Sequence, residues 1–293
     1  MSFANMKQER KSNFSRLNDE IGKINNGDGR GQDDRFWRPE LDKAGNGYAV
    51  IRFLPPVDGE DLPWVRIFNH GFQGPGGWFI ENSLTTLNKA DPVSEYNTQL
   101  WGSGVEANKD LARKQKRRLS YISNVLVVED SKHPENEGKV FLFKYGKKIF
   151  DKVNDLMNPQ FEDEQPVNPF DFWEGANFKL KIRKVEGFTN YDKSEFSAPQ
   201  QLFDGEDVQL ENLWQTQNKL QEFLALDNFK SYAELKARLD RVLNLNGDNA
   251  LATTFTAEET TLPRKSVVDT EFNEETTDDN DSMTYFAKLA KED

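Results

Sequence analysis

Apolar and polar positions along the middle of the chain fall into five short runs bounded by Gly, Pro, Asn or Asp. GYAVIRFLP (47–55), WVRIFNH (64–70), SYISNVLVVED (120–130), KVFLFKYG (139–146) and NFKLKIRKVEGF (177–188) are rich in β-branched and aromatic residues and predict strands. In the last run a period of two puts Phe178, Leu180 and Ile182 on one face and Lys179, Lys181 and Arg183 on the other. KKIFDKVNDLM (147–157) switches to three- and four-residue spacing and predicts a helix directly after the fourth strand. The same spacing returns after Asp204, in VQLENLWQTQNKLQEFLAL and SYAELKARLDRVLN, predicting helices that pack back on the strands. The fold class expected is α+β with a mainly β core. A helix inserted among the strands of a small five-stranded Greek-key barrel is the plan of an OB-fold.

Outside residues 26–247 the pattern weakens. In residues 1–25, Phe14, Leu17, Ile21 and Ile24 recur at roughly helical spacing, and Ser12 or Ser15 would cap such a helix. A frayed tail is the equal alternative on periodicity alone. Asn25 to Asp34 is polar and Gly-rich, and its glycine run has the wrong spacing for a dinucleotide loop, so it reads as a linker. Residues 248–293 are rich in Thr, Asp and Glu and poor in apolar residues, so a disordered acidic tail is expected. Met283, Phe286 and Leu289 near its end would form an amphipathic turn on a partner.

Composition narrows the chemistry. The 293 residues include no cysteine and only two histidines, His70 and His133. That removes disulfides, thiolate metal sites and cysteine nucleophiles, and leaves no histidine-rich metal centre. No Walker sequence, secretory signal or membrane-length apolar run is present. The net charge of -12 is unevenly spread. Residues 266–293 hold nine acidic and two basic side chains, whereas residues 101–152 hold twelve basic and seven acidic.

The centre of that basic region is DLARKQKRRLSY (110–121), where Arg113, Lys114, Lys116, Arg117 and Arg118 fall within six residues. Clustered cations repel one another unless counterions neutralise them, and nucleic-acid phosphates are such counterions. A solvated loop is the plain alternative. Tyr121 follows at once, and Lys144, Tyr145, Lys147 and Lys148 lie beside Phe141 and Phe143. Cations that track a backbone beside rings that stack on bases are the means of gripping a single strand. Strand alternation buries every second ring, so Tyr121 and one of Phe143 or Tyr145 are expected to face the ligand. The Lys179–Lys181–Arg183 face is an ordinary wet face by itself and part of a groove beside the cluster. The tail either aids solubility or competes for a basic groove as a tethered polyanion.

The stretches LDKAGNGYAVIRFLP (41–55), NHGF (69–72), GGWFIE (76–81), PENEGKVF (134–141), YGKKIFDKV (145–153) and WEGANFKLKIRKVEGFTNYDKSEF (173–196) carry a specific likeness. In order and spacing the chain resembles the single-stranded DNA-binding, helix-destabilising proteins of T-even-type bacteriophages. The resemblance implies three parts: a basic arm (1–25) for cooperative self-association, with Arg10, Lys11 and Ser12 as its motif; an OB-fold core (26–247) that holds single-stranded DNA; and an acidic tail (248–293) that recruits phage replication and recombination proteins. It implies a non-enzymatic role in replication, recombination and repair in the cytoplasm of the infected host, away from membranes. Carried over by position, the groove would use Arg52, Lys116, Arg117, Arg118, Tyr121, Phe143, Lys144, Lys147 and Lys148, with Phe188 and Tyr191, and the cationic run itself adds Arg113 and Lys114. Trp101 stands where the family has a tyrosine. In KRRLS (116–120), Leu119 replaces the hydroxyl residue usual in the core copy of the arm's motif.

The resemblance also implies a structural zinc held by one His and three Cys in a subdomain at about 69–101. His70 matches the histidine, but the cysteine positions are Ser83, Asp91 and Ser94. Neutral serine is a poor zinc ligand, so no cofactor is expected and His70 is expected to be structural. Trp78, Phe79, Leu84 and Leu87 would then hold the subdomain by packing. The alternative function is a single-stranded RNA-binding translational repressor, because a groove for DNA single strands also admits RNA. An acidic scaffold without nucleic acid runs against the clustered cations, and no carboxylate constellation supports a nuclease.

Overall fold

The computed structural model describes residues 33–245. The arm with Arg10, Lys11 and Ser12, most of the linker and the acidic tail lie outside the described residues. The chain divides into two compact units, residues 1–37 and 38–293, and the fold is that of the second.

The strands are β1 (Gly47–Phe53), β2 (Val65–Gly74), β3 (Gly77–Asn82), β4 (Arg118–Glu129), β5 (Val140–Tyr145), β6 (Phe178–Val185), β7 (Phe188–Asn190) and β8 (Glu195–Phe196). The helices are α1 (Pro92–Gly102), α2 (Glu106–Gln115), α3 (Lys147–Met157), α4 (Asp207–Gln215) and α5 (Tyr232–Leu243). The result is an antiparallel, mainly β architecture with helices, an α+β protein. Its sheet runs β3-β2-β4-β1-β6-β7, with β5 on β4 and β8 on β6.

β4 organises the sheet. Its first half pairs with β2 through Arg118 to Ile122, and its second half pairs with β1 through Val125 to Glu129. β5 pairs with Tyr121 to Leu126 and therefore occupies the opposite edge. A twelve-residue strand dense in Ile, Val and Leu suits a central position. Phe53 on β1 sits among Phe143, Tyr145, Phe170, Phe178 and Phe196, with ring centroids 5.5–6.4 Å apart. Each fully buried ring of this kind contributes about 1.5–3 kcal/mol. The face predicted for β6 is observed: Phe178, Leu180 and Ile182 are buried.

A second apolar cluster joins Phe72, Phe79, Leu84 and Val93 to Leu235, Leu239 and Val242 of α5. The last described helix thus packs on β2, β3 and the start of α1. Its start is fixed by a capping box between Ser231 and Glu234, and Asn244 ends it in the left-handed conformation. Gly76, in the β2–β3 turn, donates its N–H to the Val242 carbonyl at 2.8 Å. A Cβ there would stand 2.2 Å from the Arg241 carbonyl oxygen, so only glycine fits the approach. Of the residues expected to hold the subdomain, Phe79 and Leu84 are buried and Leu87 is partly so. Trp78 is 48% exposed, because period-two alternation turns it and Ile80 outward.

Candidate nucleic-acid interface

The cationic run is shared among α2, its exit and the start of β4. Arg113 and Lys114 lie in the last turn of α2, where cations complement the carbonyl end of the helix. Arg113 bonds to Glu106 at 3.0 Å and to Asp110, and lies 5.3 Å over the Trp101 ring. These carboxylates, Glu106 first, raise its pKa. Lys116 and Arg117 are exposed at the turn into β4, and the Arg117 guanidinium sits 4.1 Å over the ring of Phe68 on β2. Arg118 is half-buried and opposes Asn69. Trp101, 39% exposed, closes α1 beside α2.

Three positions carried over to the groove lie in the interior. Arg52 is 0% exposed. Its guanidinium donates to the Asp171 carbonyl (2.7 Å), the Gln200 carbonyl (3.0 Å) and Asn177 Oδ1 (3.3 Å). Burial lowers its pKa to about 10, with Asp171 opposing the shift. The loop through Gly175 covers it closely: a Cβ at Gly175 would stand 2.8 Å from Arg52 Nη2. Tyr121 is 6% exposed and stacks on Phe150 of α3 at 3.9 Å and 3°, with Tyr145 at 5.7 Å on the same face of the sheet. Phe143 is buried in the Phe53 cluster. Tyr145 is buried too, donating to or accepting from Ser123 Oγ at 2.9 Å, and burial raises its pKa. The rings therefore pack on each other, and none of the three faces solvent.

Lys144 departs differently. It pairs with Ile122 while Tyr145 pairs with Tyr121, so alternation sends it to the opposite face from the rings. The residue is exposed as a whole, but surrounding protein, and then Arg38, lower its pKa. Lys147 and Lys148 open α3, whose N-cap is Gly146 and whose first turn has no acidic residue. Cations at the positive end of a helix are intrinsically unfavourable, and an anion there relieves both charges. Lys147 meets Asp151 at 2.9 Å, one turn on. Phe188 on β7 and Tyr191 after it are half-buried, and Lys152 of α3 reaches the Asp192 carbonyl at 3.4 Å. On the wet face of β6, Lys181 pairs with Glu195 (2.7 Å) and Arg183 with Asp192 (2.5 Å).

Sequence reasoning missed Arg66, Phe68, Trp64 and Phe150. Arg66 is exposed directly opposite Tyr121, and Phe68 lies two residues on along the same face. That alternation is written in WVRIF, where Val65 and Ile67 are buried between them. Trp64 and Phe150, 5.4 Å apart, are the half-buried rings at the edge of the aromatic cluster. A cavity of about 440 Å³ lined by Pro166, Asp171, Trp173 and Gln201 contains none of the predicted cations.

Beneath the cationic run lies a buried polar cluster built around His70, Ser83 and Asp91, the positions for which the resemblance raised the question of zinc. Asp91 caps α1, and its Oδ1 accepts from Val93 N (3.1 Å) and Ser94 N (3.0 Å). Its Oδ2 accepts from Ser83 Oγ and Leu84 N, both at 3.0 Å. His70 Nε2 stands 3.2 Å from Asp91 Oδ1, at ion-pair distance but off the axis of a hydrogen bond. Burial raises the Asp91 pKa, but His70 and the backbone donors of Ser94 and Leu84 outweigh it, leaving the carboxyl below the usual range. The donor set does not fit zinc: one imidazole, one carboxylate already accepting four hydrogen bonds, and two neutral serines do not make a tetrahedral thiolate or imidazole site. Among the described residues, no three His, Cys, Asp or Glu side chains group as metal ligands.

An antiparallel sheet that presents exposed cations and partly exposed rings along one end is the arrangement of an anion-facing β protein. Residues 45–243 match the family described as gp32 DNA binding protein like, and the chain belongs to that family. It is 42% identical over 226 residues to the single-stranded DNA-binding protein of Enterobacteria phage T2, covering 75% of this chain and 73% of that protein. It is 40% identical over 232 residues to the single-stranded DNA-binding protein of Enterobacteria phage T4, covering 76% and 75%.

Proposed function

We propose that this protein binds and coats single-stranded DNA during phage replication, recombination and repair, and that it carries out no chemical step. The observation that carries the reading is the exposed Lys116–Arg117 turn with Arg117 seated on Phe68, extended by Arg66 across the same sheet end. The relatives' names point the same way. Phosphates would lie along Lys114, Lys116, Arg117 and Arg118 and at the lysine-bearing N-terminus of α3. Bases would stack on the partly exposed rings Trp101, Phe68 and Phe150, with Phe188 and Tyr191 further along. Tyr121 and Phe143 back this surface from inside. Stacking accepts any base, so sequence preference is slight, and counterion release makes affinity fall with salt.

The finer parts of the reading are an OB-type sheet, self-association through Arg10, Lys11 and Ser12, recruitment of replication and recombination proteins by the acidic tail, and action in the host cytoplasm. The sheet supports the first through its central strand shared by β1, β2 and β5, a pattern suited to a closed small barrel. Among the described residues no helix is long and apolar enough to cross a membrane.

The test is competition. The full chain is titrated with fluorescent oligo-dT, and unlabelled dT, rU and duplex of equal length compete. The reading expects dT to displace best and duplex worst. Equal displacement by duplex, or stronger displacement by rU, would overturn it in favour of general polyanion or RNA binding respectively.

A further inference from the structure

The buried cluster under the cationic run connects more than the subdomain. Asp91 joins the exit of β3, through Ser83 and Leu84, to the first turn of α1, through Val93 and Ser94. Its contact with His70 adds β2. A metal bound at these four positions would tie together the same three elements, and the carboxylate does so with hydrogen bonds to two of them and a close contact to the third. The other nitrogen of His70, Nδ1, lies 3.1 Å from the Gln115 carbonyl oxygen. A carbonyl only accepts, so Nδ1 is the donor. Asn97 of α1 donates to the same carbonyl, also at 3.1 Å. Gln115 is the last residue of α2 and is followed directly by Lys116, Arg117 and Arg118. His70, Ser83, Asp91 and Gln115 are all buried, so water does not compete for these bonds.

We propose that Asp91 replaces a structural metal in this chain, and that His70, through the Gln115 carbonyl, positions the Lys116–Arg118 turn for the phosphate backbone. The second half rests on the proposed function, and the first does not. His70 is a positioning residue here: it touches no ligand and acts through the carbonyl that starts the turn.

The experiment uses the full chain in two arms. In the first, metal content and thermal melting are measured before and after exhaustive chelation. Zinc well below one per chain and an unchanged melt are expected. One zinc per chain, released by chelator with a fall in melting temperature, would overturn the metal-free assignment. In the second arm, oligo-dT binding is followed across a salt series for His70→Ala and His70→Asn. The asparagine amide stands where Nδ1 stood and donates to Gln115. His70→Ala is expected to lower affinity, with a slope of log K against log salt shallower by about 0.7, one phosphate contact. His70→Asn is expected to restore most of both. A lowered melt with slope and affinity unchanged would overturn the positioning role. If His70→Ala does not fold, Asn97→Ala carries the test, since it removes the second donor to the same carbonyl and leaves the Asp91 bonds intact. A weaker loss in the same direction supports the proposal, and unchanged binding overturns it. Failure of the unsubstituted chain to bind oligo-dT would sink the proposed function and the positioning half with it, while the metal arm would still decide the first half.

Discussion

Two arginines, Arg52 and Arg117, have the same chemistry and opposite surroundings. Arg52 is enclosed and donates to three protein oxygens fixed by the loop from Asp171 to Gln200. Arg117 lies at the surface with its face on Phe68. A buried guanidinium held by protein oxygens organises the fold, and it lies out of reach of a phosphate. An exposed one on an aromatic face lies where a ligand can approach it. The sign of the charge does not separate the two cases, but burial does.

The comparison is broken most forcefully at Arg52. Arg52→Ala strands one buried and two partly buried acceptors and opens a cavity, and is expected to destabilise the fold by roughly 3–5 kcal/mol in urea melts. DNA affinity should be unchanged at temperatures where the variant is folded. A stable variant with weakened binding would return Arg52 to the groove. The opposite profile is expected of Lys116→Ala/Arg117→Ala/Arg118→Ala: loss of about 100-fold in oligo-dT affinity near 0.1 M salt, with little change in melting. The smallest effect belongs to an exposed histidine that no ligand contact needs. Hydrogen bonds to Glu135, then Glu40, raise the His133 pKa above its ordinary 6.5. A raised folded-state value stabilises fully below the unfolded pKa and loses the effect as pH rises through the folded one. His133→Gln should therefore melt slightly below the parent at about pH 5.5 and coincide with it at about pH 9. A difference that grows with pH would reverse the assignment.

What the chain discloses depends on how each element is stabilised. The five predicted strands and α3 are legible because each buries one apolar face, and the periods of two and 3.6 record it. α2 is not, because only Ala112 and Gln115 of its ten residues are buried, and its Glu106–Lys109 and Glu106–Arg113 pairs leave no apolar stripe. α1 does announce itself, through Asp91 at the N-cap and Pro92 at the first position, a start signal overlooked because its apolar content is low. β3 escaped because the Gly74–Gly77 turn that creates it is recognisable only against the α5 carbonyls it fits. At the candidate site the cations were legible as charge. Burial of Arg52, Tyr121 and Phe143 was not, because it depends on the loop over Arg52 and on Phe150, which arrive from distant sequence. Asp91 was readable as a position where cysteine would be expected, but its role as a hydrogen-bond centre emerges only when Ser83, Leu84, Val93 and Ser94 are brought around it.

The most direct measurement is the slope of log K against log salt for oligo-dT binding, comparing the full chain with Lys116→Ala/Arg117→Ala/Arg118→Ala. Each single-strand phosphate contact contributes about 0.7 to the slope, so loss of three is expected to make it shallower by about 2. An unchanged slope would place the phosphates elsewhere and contradict the assignment of this turn to the DNA.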